Sequence, residues 1–562
     1  MKRLIFAILS FAVTGLLAYG GWGLYGRDQA MPDVPDGKLR CVSYAPYREG
    51  QSPFMENLVI SREQIDEDLR QLSQRFDCVR TYSVNQGMAA VPEIAARHGL
   101  KVLLGVWIGR DRLNRKVNEK EIEIAVRLAN DPANRDTIMA IVVGNEVLLR
   151  REFTARQMAE WIGMVKSQVT VPVTYADVWE FWLKYPSVAE AVDYLTVHIL
   201  PYWEDDPVSL ADSMSHMRDI LAKMHAAFPG RKLFIGETGW PSAGRSREGA
   251  VPSPANQARY IREFVRVVGE EGIDYNVIEA FDQPWKRIQE GTVGGEWGIF
   301  DVARQQKFPF VGPVSDNPNW RTDAATGMAI AAVLLLSLAI GGYGFGLLGW
   351  MIAAFAAQAI GASLVRQWQF IAETSLNHGT WLVNFSSMVL SALAAVLLTM
   401  AFADLATNRA AGAIRPASMA DTLAWLRRPR YGWFDRALTL GLLRLLTLFG
   451  ATAIALQMLF DPRYRDFPTA TYILPAIGFA LLHWLQECRR PESRPTSDFQ
   501  EELWLTAFLT VAALISGIRE GFSNFESLAW MATILLVAAP WLHVMWMSRG
   551  AARTAALRGE PV

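Results

Sequence analysis

Glu146 and Glu237 each stand at the end of a short apolar run, and this repetition is where chemistry enters the chain. Ile138–Glu146 reads IMAIVVGNE, and Phe234–Ser242 reads FIGETGWPS. In both, a short apolar run reaches a glycine and a carboxylate follows at once or one residue later. In the second, a Thr238-Gly239-Trp240-Pro241 turn comes next. A buried parallel strand would present such a carboxylate at its C-terminal end. Two of them facing each other can cleave a glycosidic bond with retention. One attacks the sugar, the other protonates the leaving oxygen, and they stand about 5 Å apart. Glu237 is assigned as nucleophile and Glu146 as acid/base, with Asn145 placed to hydrogen-bond the sugar 2-hydroxyl. For either motif alone, a structural glutamate satisfied by a barrel arginine is the competing reading.

The carboxylates need a frame. Between Leu39 and about Phe310, strand-like segments alternate with helical periodicity. The strand candidates are Leu39–Tyr44, Cys78–Tyr82, Lys101–Trp107, Ile138–Gly144, Val171–Ala176, Tyr194–Ile199, Leu233–Gly236 and Tyr275–Phe281. The clearest helices are Ser61–Phe76, Glu119–Asn130, Thr154–Gln168, Leu210–Phe228 and Pro254–Glu271. Eight such repeats predict an α/β fold, a (β/α)8 TIM barrel. Glu146 closes its fourth strand and Glu237 its seventh, both on the C-terminal face where such barrels carry their chemistry.

A cleft for sugar calls for aromatic rings, on which the C–H faces of pyranoses stack. Strand-end candidates are Tyr44, Tyr82, Trp107, Tyr175, Tyr202, Trp203, Trp240, Trp285 and Trp297, although plain packing accounts for any single ring equally well. Tyr202 and Trp240 lead, because HILPYWE and ETGWPS set them just beyond strands, and Tyr202 is a candidate partner of the nucleophile. Glu279 reads as a buried partner of a barrel arginine such as Arg80, and His198 as a structural histidine. Cys41 and Cys78 fall on neighbouring strands. Two buried thiols are the preferred reading, with a disulfide open if the barrel lies outside the cytoplasm.

The segments VRTYSVNQG (Val79–Gly87), VVGNE (Val142–Glu146), GETGWPSAG (Gly236–Gly244), EAFDQPWK (Glu279–Lys286) and EWGIF (Glu296–Phe300) resemble glycoside hydrolase family 17. This is the family of the plant and fungal β-1,3-glucanases and glucanosyltransferases. The resemblance implies a retaining (β/α)8 enzyme acting on β-1,3-glucan, with Glu146 and Glu237 in the roles above and Lys286 at a matched position. Plant members carry an acidic residue where Gln283 aligns, which puts the tuning of the acid/base in question. The whole architecture is similar to bacterial membrane proteins of this family, among them the rhizobial protein required for β-1,6 linkages in β-1,3/1,6-glucans.

Outside the barrel the composition turns apolar. Residues 1–26 read as an uncleaved signal anchor, with Lys2 and Arg3 keeping its start cytoplasmic. A linker, 27–38, leads into the barrel at 39–314, and a second linker, 315–323, leads out. A bundle of about seven transmembrane helices is expected over 324–548, with a basic tail at 549–562. The apolar segments are Ala324–Gly342, Phe345–Val365, Leu382–Leu405, Ala437–Phe460, Thr471–Gln486, Leu503–Ile518 and Leu528–Met547. Positive charge gathers in alternate loops: Arg409, Arg415, Arg427, Arg428, Arg430 and Arg436; then Arg489, Arg490 and Arg494; then Arg549, Arg553 and Arg558. All three groups fall on the side opposite the barrel. The expected location is a bacterial inner membrane, multi-pass, with the barrel periplasmic.

The 562 residues carry a net charge of −1, three cysteines and seven histidines. Nucleic acid is excluded as a partner, and neither a disulfide scaffold nor a metal centre is expected. No cofactor is expected. The partners are a β-glucan, the lipid bilayer and a membrane glucan synthase or exporter. Three functions remain. The favoured one is a glucanosyltransferase forming β-1,6 linkages, since a glycosyl-enzyme retains the energy of the broken bond where nucleotide sugars are absent. The others are an endo-β-1,3-glucanase and a glucan-binding scaffold or export component.

Overall fold

The computed structural model describes residues 2–409, 414–427, 435–489 and 499–558. Arg428, Arg430, Arg490 and Arg494 and the last four residues of the predicted tail lie outside them. The chain divides into two compact units, Asp28–Asp316 and Met1–Arg27 with Asn317–Val562.

The first unit is a closed barrel of eight parallel strands in sequence order. They are β1 (Leu39–Ser43), β2 (Phe76–Arg80), β3 (Lys101–Val106), β4 (Ile138–Asn145), β5 (Val173–Val178), β6 (Leu195–His198), β7 (Leu233–Glu237) and β8 (Asp274–Val277). Each coincides with a predicted strand to within a few residues. β1 closes the circle by pairing with both β2 and β8. Three of the helices between strands start at a short polar side chain that caps them, the first being Arg62–Leu72 at Ser61. Thr154 and Gln157 form a capping box before Ala155–Lys166, and Ser253 caps Pro254–Glu271, which ends at Gly272 with φ 65°.

Alternate residues on a strand share a face, and this parity divides the barrel interior along its axis. Cys41, Cys78, Leu103, Ala140, Val142, Ala176 and Phe234 form an apolar cluster inside the strands. Two residues further along β1 and β2, the same faces carry Ser43 and Arg80, so the interior turns polar toward the C-terminal mouth. The main core lies outside the strands, against the helices. Cys41 and Cys78 are register partners and are joined in a disulfide, with Cα atoms 4.4 Å apart. This corrects the preferred reading of two thiols: adjacent parallel strands set both side chains on one face.

The second unit is helical. Among the described residues, seven helices are long and apolar enough to cross a membrane: Lys2–Tyr25, Trp320–Ile340, Leu347–Thr374, His378–Ala406, Arg436–Phe460, Gln500–Glu520 and Phe525–Met547. The segment predicted at Thr471–Gln486 forms the helix Thr469–Arg489, which is not among them; Pro475, His483 and Gln486 interrupt its apolar run. Close packing uses small residues: a Cβ on Gly361 would stand 2.1 Å from the Gly327 carbonyl oxygen. Arg444 donates to the Ala417 carbonyl at 2.6 Å and lies over the Trp541 ring.

Candidate active site

The polar mouth of the barrel is organised by Arg80, the inward residue that ends β2. It is buried, and its guanidinium reaches four groups on three other strands. Nη1 donates to Glu237 Oε1 and to the Gly236 carbonyl, both at 2.9 Å, and lies 3.4 Å from His198 Nε2. Nη2 donates to Asn145 Oδ1 at 2.5 Å. Tyr82, two residues further on, donates its hydroxyl to Glu237 Oε1 at 2.8 Å and lies 2.9 Å from Ser43 Oγ. Asn276 on β8 donates to Ser43 Oγ and the Gly236 carbonyl, each at 2.8 Å. A buried carboxylate with two donors on one oxygen is held in place and supplied with opposing charge.

Glu146 reaches the same centre by leaving its strand. The β4–β5 register shifts between Val142 and Asn145, and Glu146 takes φ 53°, a left-handed conformation that costs a non-glycine residue about 1–2 kcal/mol. The next residues are tied down by Asp177, whose Oδ2 accepts from Leu148 N at 3.3 Å and Leu149 N at 3.4 Å. Burial pushes the Asp177 carboxyl up to about 6. Glu146 Oε1 lies 2.9 Å from His198 Nδ1, which is also 3.7 Å from Glu237 Oε2. With His198 Nε2 facing a guanidinium that has no lone pair to offer, the ring proton belongs on Nδ1, between the two carboxylates. Gly236 makes room for this ring: a Cβ there would stand 2.9 Å from His198 Cδ2 and 2.4 Å from Thr196 Cγ2.

One oxygen each from Glu146 and Glu237 and one His198 nitrogen lie within 4.8 Å of one another, a grouping that in other settings holds a metal ion. Here the Arg80 guanidinium already touches two of its members, so a cation at its centre would face a fixed positive charge. The two carboxyl groups thus approach closely enough for an oxygen of each to face the other across the barrel mouth. The Glu237 carboxyl is pushed up by burial, but His198, Arg80, the Tyr82 hydroxyl and Lys286 outweigh this and hold it below its ordinary value.

Three predicted sugar contacts lie elsewhere. Tyr44, Tyr202 and Trp240 are fully buried and offer no face to a ligand. Tyr44 donates to Asp68 Oδ2 at 3.2 Å, and Trp240 Nε1 to the Val251 carbonyl at 2.9 Å. Tyr202 donates to the Arg245 carbonyl at 2.5 Å rather than to Glu237, whose hydroxyl donor is Tyr82. Tyr44 reaches the helix Arg62–Leu72 through Asp68 and Trp240 packs on Tyr260 of the helix Pro254–Glu271, while Tyr202 is enclosed by Trp203, Trp240 and Trp297. Glu279 pairs with Lys286 at 2.8 Å, not with Arg80, which parity had already turned toward Glu237. Burial pushes the Glu279 carboxyl up to about 7 against the pull of Lys286. Asn145, Tyr82, Trp285 and Lys286 are half-buried: Tyr82 bonds Glu237 and Asn145 bonds Arg80, whereas Lys286 pairs with Glu279 and Trp285 with Gln283. His198, read as structural, touches both carboxylates; its inward parity at the end of β6 was the available signal.

Residues 41–298 match the family model described as the BtgE/BtgC glycoside hydrolase domain. A glucan 1,3-beta-glucosidase of Arthroderma benhamiae is 29% identical over 262 residues, spanning 43% of this chain and 82% of that protein. A probable beta-glucosidase btgE of Aspergillus flavus is 28% identical over 280 residues, 48% of this chain and 44% of that protein. A solved structure, an active-site mutant of the Rhizomucor miehei beta-1,3-glucanosyltransferase in complex with laminaritriose, is 25% identical. It superposes with a TM-score of 0.42 over 49% of this chain and 97% of its own.

Proposed function

We infer that the barrel is a family 17 glycoside hydrolase domain, and that it acts as a retaining glucanosyltransferase on β-1,3-glucan. The observation that carries this reading is that one oxygen of each carboxylate and a nitrogen of His198 lie within 4.8 Å of one another, with the ring facing both glutamates. Glu237, ionised and aimed by Arg80 and Tyr82, attacks the anomeric carbon. Glu146 delivers a proton to the leaving oxygen. His198 Nδ1–H occupies Glu146 Oε1, which leaves Oε2 to carry that proton. The same carboxylate then takes the proton of the incoming hydroxyl as the glycosyl-enzyme breaks down. Asn145, its Oδ1 engaged by Arg80, has its amide N–H groups free for the sugar 2-hydroxyl.

The acceptor decides the product. A glucan 6-hydroxyl gives a β-1,6 branch, and water gives hydrolysis, the outcome suggested by the names of the glucan 1,3-beta-glucosidase relatives. Transfer is favoured because the long apolar helices would hold the barrel beside a membrane, where new glucan emerges. The Cys41–Cys78 disulfide supports an extracytoplasmic barrel, in keeping with arginine-rich loops on the opposite side of a bacterial inner membrane.

The test uses the full chain purified in detergent and incubated with β-1,3-gluco-oligosaccharides, with Glu237→Gln as control. Products are sized by mass spectrometry and linkages read by NMR. Products longer than the donor with new β-1,6 signals support transfer. Only shorter reducing products make it a hydrolase, and no difference from the control removes the catalytic reading in favour of a glucan-binding scaffold.

A further inference from the structure

At the corner where β8 meets β1, the chain builds an aromatic structure that the catalytic pair does not use. Phe54, 66% exposed, meets the Trp285 indole edge to face with ring centroids 5.5 Å apart, and Tyr47 meets it at 6.2 Å. The indole is oriented from below. Its Nε1 donates to Gln283 Oε1 at 2.7 Å, while the Gln283 Nε2 donates to the carbonyls of Ala45 at 3.0 Å and Phe281 at 3.1 Å. Position 283 is fully buried and must accept at one end and donate at the other, which an amide does. A carboxylate could accept from the indole but would meet two carbonyl oxygens with no proton to offer. The departure from the plant pattern at Gln283 thus has a local purpose.

The loop that carries Phe54 is also pinned. Gln86 Nε2 donates to the Met55 carbonyl at 3.0 Å and the Pro53 carbonyl at 3.2 Å, and Gln86 Oε1 accepts from the Tyr47 hydroxyl at 2.7 Å. An exposed ring on a fixed backbone is preorganised for a ligand. Its place indicates which ligand. Lys286, next to Trp285, pairs with buried Glu279 just beyond β8, and Asn276 on β8 donates to the carbonyl of Gly236 beside Glu237, so this corner adjoins the pair of carboxylates. In a closed barrel with strands in sequence order, β8 lies opposite β4. The leaving sugar must lie beside Glu146, which stands just past the end of β4 and protonates it. The sugar captured by Glu237 and the chain behind it therefore extend the other way, toward β8 and β1.

We propose that Phe54 and Trp285, oriented by Gln283, form a binding platform for the donor β-glucan chain behind the captured sugar. This rests on the β-glucan reading given above. Rings at this corner fit the C–H faces of successive glucose units and make no demand on their charge.

The test measures binding to the full-length Glu237→Gln protein in detergent, by calorimetry, with β-1,3-gluco-oligosaccharides of two to about six units. Phe54→Ala and, separately, Gln283→Glu are introduced in that background. Each is expected to weaken the longest oligosaccharide about five-fold and to leave the disaccharide unchanged. Phe54→Ala is the decisive variant, since an exposed ring can be removed without disturbing the core. An equal loss at every length, or no loss at any length, overturns the platform. If the parent Glu237→Gln protein binds no β-1,3-oligosaccharide at all, the β-glucan reading itself fails and takes the platform with it.

Discussion

Replacing Lys286 with methionine isolates one buried charge, and the sign of the result follows from the structure. Lys286 Nζ is 2.8 Å from Glu279 Oε1, and Glu279 has no solvent exposure. Its carboxyl is already pushed up to about 7 by burial, with Lys286 opposing that rise. Without the ammonium, Glu279 keeps its proton to still higher pH, because an unpaired buried carboxylate would cost more than protonation. Its folded-state value lies above its unfolded one, about 4.3, so the folded state binds the extra proton and stability falls as pH rises between the two. In the wild type this fall ends near pH 7; in Lys286→Met it continues. Between pH 6 and pH 8 the variant should lose about 1.4 kcal/mol more than the wild type, the one pH unit over which only its folded state keeps the proton. For a barrel of this size that is about 2 °C of melting temperature. The assay is thermal melting of the detergent-purified protein at both pH values, with Lys286→Met/Glu279→Gln as reference. A penalty equal at both pH values, or larger at pH 6, would refute the reasoning. So would a double variant as pH-sensitive as the single one.

Three other outcomes are expected. Tyr82→Phe removes the donor that favours ionised Glu237, so the acid limb of the kcat/KM profile should move to higher pH; a limb that stays put would show that the hydroxyl does not tune the nucleophile. Glu146→Ala should cut kcat on glucan by about 10²–10⁴-fold but far less on an aryl glucoside, whose leaving group needs no proton, whereas Glu237→Gln should lose both. Equal losses on the two substrates would remove Glu146 from the acid role. Gly236→Ala forces a methyl to within 2.4 Å of Thr196 Cγ2 and should destabilise the barrel by about 1–3 kcal/mol, read as a lowered melting temperature. An unchanged melt would mean that the His198 ring has room to move.

Strand-length apolar runs, their eightfold alternation with amphipathic helices, and carboxylates at the ends of the fourth and seventh runs were all legible without coordinates. Those features are local, and local patterning is what a linear chain displays. The same holds for the long apolar segments and the alternating arginine loops. What joins Arg80 to Glu237, Asn145 and His198 is barrel closure, which brings β2, β4, β6 and β7 to one mouth. Strand parity names the inward faces, but not which inward groups meet across the axis, so the sequence alone offers Glu279 a barrel arginine such as Arg80 and Glu237 the hydroxyl of Tyr202, neither of which is the pairing observed. Burial of Tyr44, Tyr202 and Trp240 likewise depends on which distant side chains the turns beyond the strands meet, which no spacing encodes. The two carboxylates were determined by the sequence itself. Their partners, and the disulfide between strands whose register sets Cys41 beside Cys78, were decided by tertiary structure, because only closure and register fix distances between residues far apart in the chain.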